Sequence, residues 1–228
     1  MKLSVIVPVF NERPTVGACL DRLDRLGLAE EVVVVDDGST DGTAEELARF
    51  AGRPGWVVVR LDRNRGKGYA VRRGLELVTG PVVVIQDADL EYDPADLPRL
   101  LQPILEGRAQ VVYGSRRTGP DRRRHSGSLY TLGGLLVTYA ARLLFGLSVT
   151  DEATCYKMLR TDLLRSLDLT CERFEFCPEV TAKLALRGVP IHEVPVSYRP
   201  RRKRDGKKIR WRDGVEALWT LARLRLGG

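Results

Sequence analysis

The chain has 228 residues, 43% of them hydrophobic and 29% charged. That is enough for one large domain or two small ones with a sizeable core, and it excludes collagen-like, mucin-like and wholly disordered chains. Lys and Arg number 37 against 30 Asp and Glu, a net charge of +7, yet residues 199–212 alone hold nine basic residues and one acid. The basicity is therefore one local patch, of the kind that faces a phosphate, a nucleic acid or an anionic membrane.

In chain order, residues 3–7, 31–35, 56–61, 82–86 and 110–113 are runs rich in Val and Ile with little polar alternation, the pattern of strands buried on both faces. Helix-length segments lie between them at 15–26, 44–50, 69–78 and 95–105. Thr43 with Glu46 three residues on has the form of a capping box. Four alternations of strand and helix predict a parallel sheet covered by helices, with ligands bound outside the carboxyl ends of the strands. The loops after the first, second and fourth strands are where chemistry is expected. Beyond Gly114 the rhythm changes: an arginine cluster (Arg122, Arg123, Arg124), an apolar stretch at 129–147, a mixed stretch to Pro178, a helix at 179–187, a strand around 191–198, the basic loop, and an amphipathic helix from Asp213. No composition break separates the halves, so a single domain over 1–228 is expected, with 1–115 and 116–228 as its two halves.

The four cysteines form no C-x-x-C pair and have no histidine at metal-ligand spacing, which argues against zinc and for reduced thiols in a cytoplasmic protein. The N-terminus has no secretory pattern. The stretch 129–147 is interrupted by Arg142 and two glycines and is borderline against the roughly 20 apolar residues of a membrane span. Leu132, Leu135, Leu136, Tyr139 and Leu143 form a helical stripe behind three arginines, which suits either an interfacial element on anionic lipid or a buried core helix.

Acidic residues end the strands: Asp36 and Asp37 after the second, Asp87, Asp89 and Glu91 after the fourth. Like charges beside buried backbone call for a cation, and two carboxylates one residue apart can turn to one hard divalent ion. Arg65, Gly66, Lys67 and Gly68 precede a helix, where the glycines, the helix N-terminus and Lys67 favour an anion.

The ordered set PVFNE, VVVVDDGSTDGT, RNRGKGYAVRRG, QDADLEYDP, VYGSR, TDEATCYKMLR and EVPVSYRPR resembles family 2 glycosyltransferases of the GT-A fold, and among them the dolichol-phosphate and polyprenyl-phosphate sugar transferases. The resemblance runs from Lys2 to about Lys208. It implies a nucleotide-sugar site in which Pro8, Phe10, Glu12, Val35 and Asp37 line the nucleoside pocket, and the anion expected at Lys67 is then the donor's diphosphate. Asp87, Ala88 and Asp89 form the D-x-D motif, and Asp87, Asp89 and Glu91 hold Mg²⁺ or Mn²⁺. It further implies that Arg116 grips sugar or phosphate, and that Arg201 and Lys207 close over the diphosphate. The element at Thr150 and Asp151 faces the acceptor, with Cys155 and Tyr156 standing where the family usually has Gly and Phe.

The implied activity is metal-dependent, inverting transfer of a hexose from a GDP-mannose- or UDP-glucose-type donor to a polyprenyl or dolichyl phosphate, at the inner face of an anionic membrane. An ionised acceptor phosphate needs no general base. A hydroxyl acceptor would need one, with Asp151 or Glu152 as candidates. A sugar nucleotidyltransferase would show a Gly-rich basic loop after the first strand, where PVFNE stands. A nucleic-acid-binding module would use the basic loop with Trp211 but leave the acidic loops without a role, so no nucleic-acid partner is expected.

Overall fold

A computed structural model describes residues 2–118, 129–201 and 208–227. The chain folds around one seven-stranded sheet of order β3-β2-β1-β4-β6-β5-β7. The strands are β1 (Leu3–Val9), β2 (Glu31–Asp36), β3 (Trp56–Arg60), β4 (Val82–Ile85), β5 (Val111–Ser115), β6 (Lys157–Arg160) and β7 (His192–Pro195). The helices are α1 (Val16–Leu26), α2 (Thr43–Leu47), α3 (Lys67–Leu77), α4 (Leu97–Leu105), α5 (Leu129–Phe145), α6 (Thr161–Ser166), α7 (Phe176–Leu186) and α8 (Trp211–Arg225).

Every residue of β2, β4 and β5 is buried. Successive strand residues point to opposite faces, so such burial requires cover on both sides. β3 departs from this expectation: it is an edge strand whose residues stay half-exposed or exposed. The parallel pattern holds from β3 to β4 and between β5 and β7, but β6 runs antiparallel between β4 and β5. β6 and α6 lie in the mixed stretch where the sequence signals no element. The Thr43–Glu46 capping box does not form either. Gly42 takes the N-cap, while Asp41 accepts from the Thr43 N–H and Thr43 Oγ1 accepts from the Glu12 N–H. Thr43 thereby ties the helix start to the end of β1.

α3 approaches β1 closely because Gly74 has no side chain. A Cβ there would lie 2.5 Å from Ile6 Cγ2. Gly74→Val is expected to lower stability by about 1–3 kcal/mol through overpacking, read as a fall in the chemical-denaturation midpoint. α5, α7 and α8 pack on one another around a second small core of Val137, Ala141, Ala182, Ala217, Leu221 and Leu224. They leave one side of α5 and α8 bare.

Candidate active site

The carboxyl ends of β1, β2, β4 and β5 meet at one edge of the sheet. After β1 the chain turns through Asn11, which adopts a left-handed conformation at φ 49°, and brings Glu12 inward, buried. Glu12 is the hub of the site. Its oxygens accept from Arg201 Nη1 and Nη2 at 2.8 and 2.9 Å and from Lys208 Nζ at 2.6 Å. Arg201 Nη2 also reaches Asp89 Oδ2 at 3.3 Å. Beside it, Glu91 accepts from the Tyr198 hydroxyl at 2.5 Å and the Arg201 N–H at 2.6 Å, so it fastens residues 198–201 against the segment after β4.

The three acids after β4 stand in different electrostatic settings. Lys67 Nζ lies 2.6 and 2.8 Å from the two oxygens of Asp87. Burial would lower the Lys67 pKa, but Asp87 beside it raises it well above the usual lysine value. Asp89 shares one guanidinium nitrogen of Arg201 with Glu12. Burial, then the charges of Asp87 and Glu91, push its carboxyl up to about 7 against the opposing pull of Arg201.

Asp37 is committed to the protein. Its Oδ1 accepts from Arg65 N, and its Oδ2 from Asn64 Nδ2 and Gly66 N, at 2.7–2.8 Å. It therefore shapes the segment before α3. The start of α3 is also closed: Gly68 N–H donates to Arg173 O and Tyr69 N–H to Glu172 O. Two donors that the sequence reading reserves for an anion are thus capped by residues 172–173. Gly66 permits the approach, since a Cβ there would sit 2.5 Å from Glu172 O and its φ is +105°. Val35 is fully buried in the sheet and Ala88 nearly so. Pro8 and Phe10 are half-buried, and the Phe10 ring lies 5.7 Å from Lys208 Nζ.

At the end of β5, Arg116 meets Asp151 in a buried fork: Nε and Nη2 each lie 2.7 Å from one oxygen, and the Arg116 N–H adds a third bond at 3.0 Å. Burial pushes the Asp151 carboxyl up, but the Arg116 guanidinium outweighs it and leaves the group below the ordinary carboxylate range. Asp151 is fully shielded from solvent. Both of its oxygens are engaged by Arg116. Glu152 is buried as well, accepting from Thr181 Oγ1 and facing Lys157 Nζ at 3.8 Å.

The sequence reading missed several contributors. Tyr92 and Tyr198 place their rings 5.9 and 5.0 Å from the Arg116 guanidinium. Glu193, on β7, accepts from the N–H groups of Thr150 and Asp151. Lys208 is the lysine seen on Glu12, whereas Lys207 and the arginines at 122–124 lie outside the described residues. Proximity to the D-x-D was the available signal for Tyr92, and the EVPVSYRPR stretch for Tyr198. Nothing in the spacing of Glu193 points to its role.

The sequence profile of glycosyl transferase family 2 matches residues 4–168. An undecaprenyl-phosphate mannosyltransferase of Micrococcus luteus is 32% identical over 256 aligned positions, covering all of both chains. An undecaprenyl-phosphate 4-deoxy-4-formamido-L-arabinose transferase of Edwardsiella ictaluri is 32% identical over 213 residues, covering 90% of this chain and 62% of that one. The chain spans about half to two-thirds of the length of several such relatives. Among solved structures, the glucosyl-3-phosphoglycerate synthase of Mycobacterium tuberculosis bound to UDP superposes with a TM-score of 0.74 at 24% identity, over 98% of this chain and 80% of that one. The same synthase has been crystallised with UDP together with Mn²⁺ or Mg²⁺. The fold is thus the α/β GT-A fold, and with the family profile covering most of its length the chain belongs to glycosyl transferase family 2.

Proposed function

We propose that the protein transfers a hexose from a nucleoside-diphosphate sugar to a polyprenyl phosphate. The observation that carries this reading is the closed Arg116–Asp151 fork. Asp151 and Glu152, the two candidate bases of the sequence reading, are buried and engaged, while Arg116 keeps its positive charge at the edge of the site. An acceptor phosphate is already ionised at neutral pH and attacks the anomeric carbon without a base. What it needs is a fixed cation, and direct displacement inverts the anomeric centre.

The donor side supplies the complement. Negative charge grows on the β-phosphate as the glycosidic bond breaks, and preorganised cations aimed at that charge are the largest usual catalytic contribution. Arg201 and Lys208, now held by Glu12 and Asp89, are the cations within reach. Lys207 belongs to the same basic loop in sequence. Asp89, with its raised pKa and hard oxygen donors, fits a divalent ion. Among the described residues no three acids, cysteines or histidines converge on one ligand position, so the diphosphate would complete the coordination. Asp89 is the primary ligand proposed here, with Asp87 joining it when Lys67 turns to phosphate and Glu91 holding the adjoining loop. When bound, Mg²⁺ or Mn²⁺ neutralises the leaving diphosphate. Pro8, Phe10, Glu12, Val35, Ala88 and Asp37 form or shape the nucleoside side.

The same reading places the acceptor at a membrane surface. Among the described residues no helix is long and apolar enough to cross a membrane. The stripe on α5 faces outward, with Tyr139 65% and Leu143 72% exposed, and α8 adds Trp211, Val215, Leu218 and Trp219. These packed helices carry Arg142, Arg212, Arg223 and Arg225, a pattern suited to peripheral docking on anionic lipid. Tyr139→Ser combined with Trp219→Ser is expected to lower partition into anionic vesicles about tenfold or more at unchanged melting temperature, measured by co-sedimentation.

A thermal-shift panel of nucleoside diphosphates with Mg²⁺ or Mn²⁺ tests the donor assignment. A ligand at a hundred times its dissociation constant adds about 2.7 kcal/mol of stability. A metal-dependent rise in melting temperature with GDP or UDP supports the reading, and none with any nucleoside diphosphate would remove it.

A further inference from the structure

A cavity of about 730 Å³ opens between the segment before α3, residues 170–175 and α8. None of Pro8, Phe10, Glu12, Asp37, Asp87, Asp89 or Arg116 lines it, so it is separate from the donor site and shares with it only the segment that Asp37 holds. Its size falls within the range of small-molecule sites.

The charge around it is unevenly satisfied. Arg63, Arg173 and Arg223 line the cavity, are exposed, and make no side-chain hydrogen bond or ion pair with any other described residue. Of the acids on the same wall, one is paired with an arginine. Glu172 binds Arg65 at 2.5 Å, and Glu175 Oε1 accepts from the N–H groups of Glu172 and Arg173. Glu216 on α8 and Glu175, whose Oε2 is buried without a hydrogen-bond partner, are the remaining opposing charges. Three guanidiniums without partners around one concavity favour a phosphate, which arginine recognises through its fork of donors.

Trp219 favours a lipid as the source of that phosphate. It lines the same cavity, is 67% exposed, and belongs to the bare face of α8 that also carries Val215 and Leu218. A ring of this kind, apolar with one polar edge, sits at the level of lipid head groups. We propose that the cavity binds the phosphate of an anionic membrane lipid, as a second lipid contact distinct from the acceptor's reacting phosphate. The inference rests on the reading that α5 and α8 face a bilayer. It goes beyond that reading in predicting recognition of phosphate rather than of negative charge alone.

The test compares vesicles of phosphatidylcholine alone, phosphatidylcholine with phosphatidate, and phosphatidylcholine with oleate at matched surface charge, using the wild-type chain and Arg63→Gln/Arg173→Gln/Arg223→Gln. The three side chains are exposed, and equal melting temperatures will establish that the variant is folded. Wild-type protein is expected to prefer phosphatidate over oleate vesicles, and the variant to lose that preference with an overall fall on the order of a hundredfold, at about 1 kcal/mol per surface arginine. Partition into phosphatidylcholine alone, driven by the apolar face, should be the same for both. Equal binding to phosphatidate and oleate, or a preference that survives in the variant, would overturn the proposal. Arginine-dependent binding of inorganic phosphate by calorimetry, without partition into any vesicle, would overturn the lipid source. The apolar-face reading has its own readout, the phosphatidylcholine arm, so its failure is told apart from failure of the phosphate site.

Discussion

Asp151→Ala is expected to cost about 3–5 kcal/mol of stability and to reduce transfer to near background. The substitution leaves the Arg116 guanidinium in a largely buried place without the carboxylate that holds it through two side-chain bonds and one backbone bond. Stranding one partner of a buried pair costs that much because the remaining charge is desolvated without compensation. Asp151→Asn should retain part of the hydrogen bonding and fall between wild type and alanine. Urea denaturation at neutral pH gives the stability. A pH series gives the sign: the folded pKa lies below the unfolded value of 3.8, so the pair stabilises the fold above that value and loses its contribution as pH falls through the lower folded pKa. The wild-type advantage over Asp151→Asn should therefore shrink in acid. An advantage constant down to strongly acidic pH would contradict the pairing.

Asp89→Asn is expected to weaken metal-dependent binding of the nucleoside diphosphate on the order of a hundredfold, about 2.7 kcal/mol, and to leave stability equal or higher. It removes an oxygen donor from the proposed ion and relieves the repulsion from Asp87 and Glu91 that burial magnifies. Titration calorimetry with and without Mg²⁺ or Mn²⁺ separates the two effects. Unchanged metal-dependent affinity would take the metal role from this acid.

The sheet was legible where its strands are continuous Val and Ile. β1, β2 and β4 are buried on both faces, and such runs have few other stable settings. β6 was not legible because its four residues begin with Lys157, a fully buried lysine whose charge is met by the Glu152 carbonyl, the Glu152 carboxylate at 3.8 Å and the Tyr113 ring. Those partners come together only in the folded chain. The acids of the site could be read from their place after apolar strands, but their partners could not. Arg116 and Asp151 are 35 residues apart, and Glu12 and Arg201 are 189 apart. The periodicity of α5 located its apolar stripe without telling which way it faces, because a helix apolar over most of its surface presents similar stripes to core and to solvent. Burial of Val137 and Ala141 on the opposite side gives the direction.

The most direct measurement supplies radiolabelled nucleoside-diphosphate sugar to the protein with anionic vesicles containing either a polyprenyl phosphate or the corresponding polyprenol. Radioactivity extracted with the lipid is followed with Mg²⁺ or Mn²⁺ and with EDTA. Transfer is expected to the phosphate only, abolished by EDTA and reduced to near background in Arg116→Ala. Transfer to the polyprenol at a comparable rate, or none to the phosphate with any of the donors, would contradict that expectation.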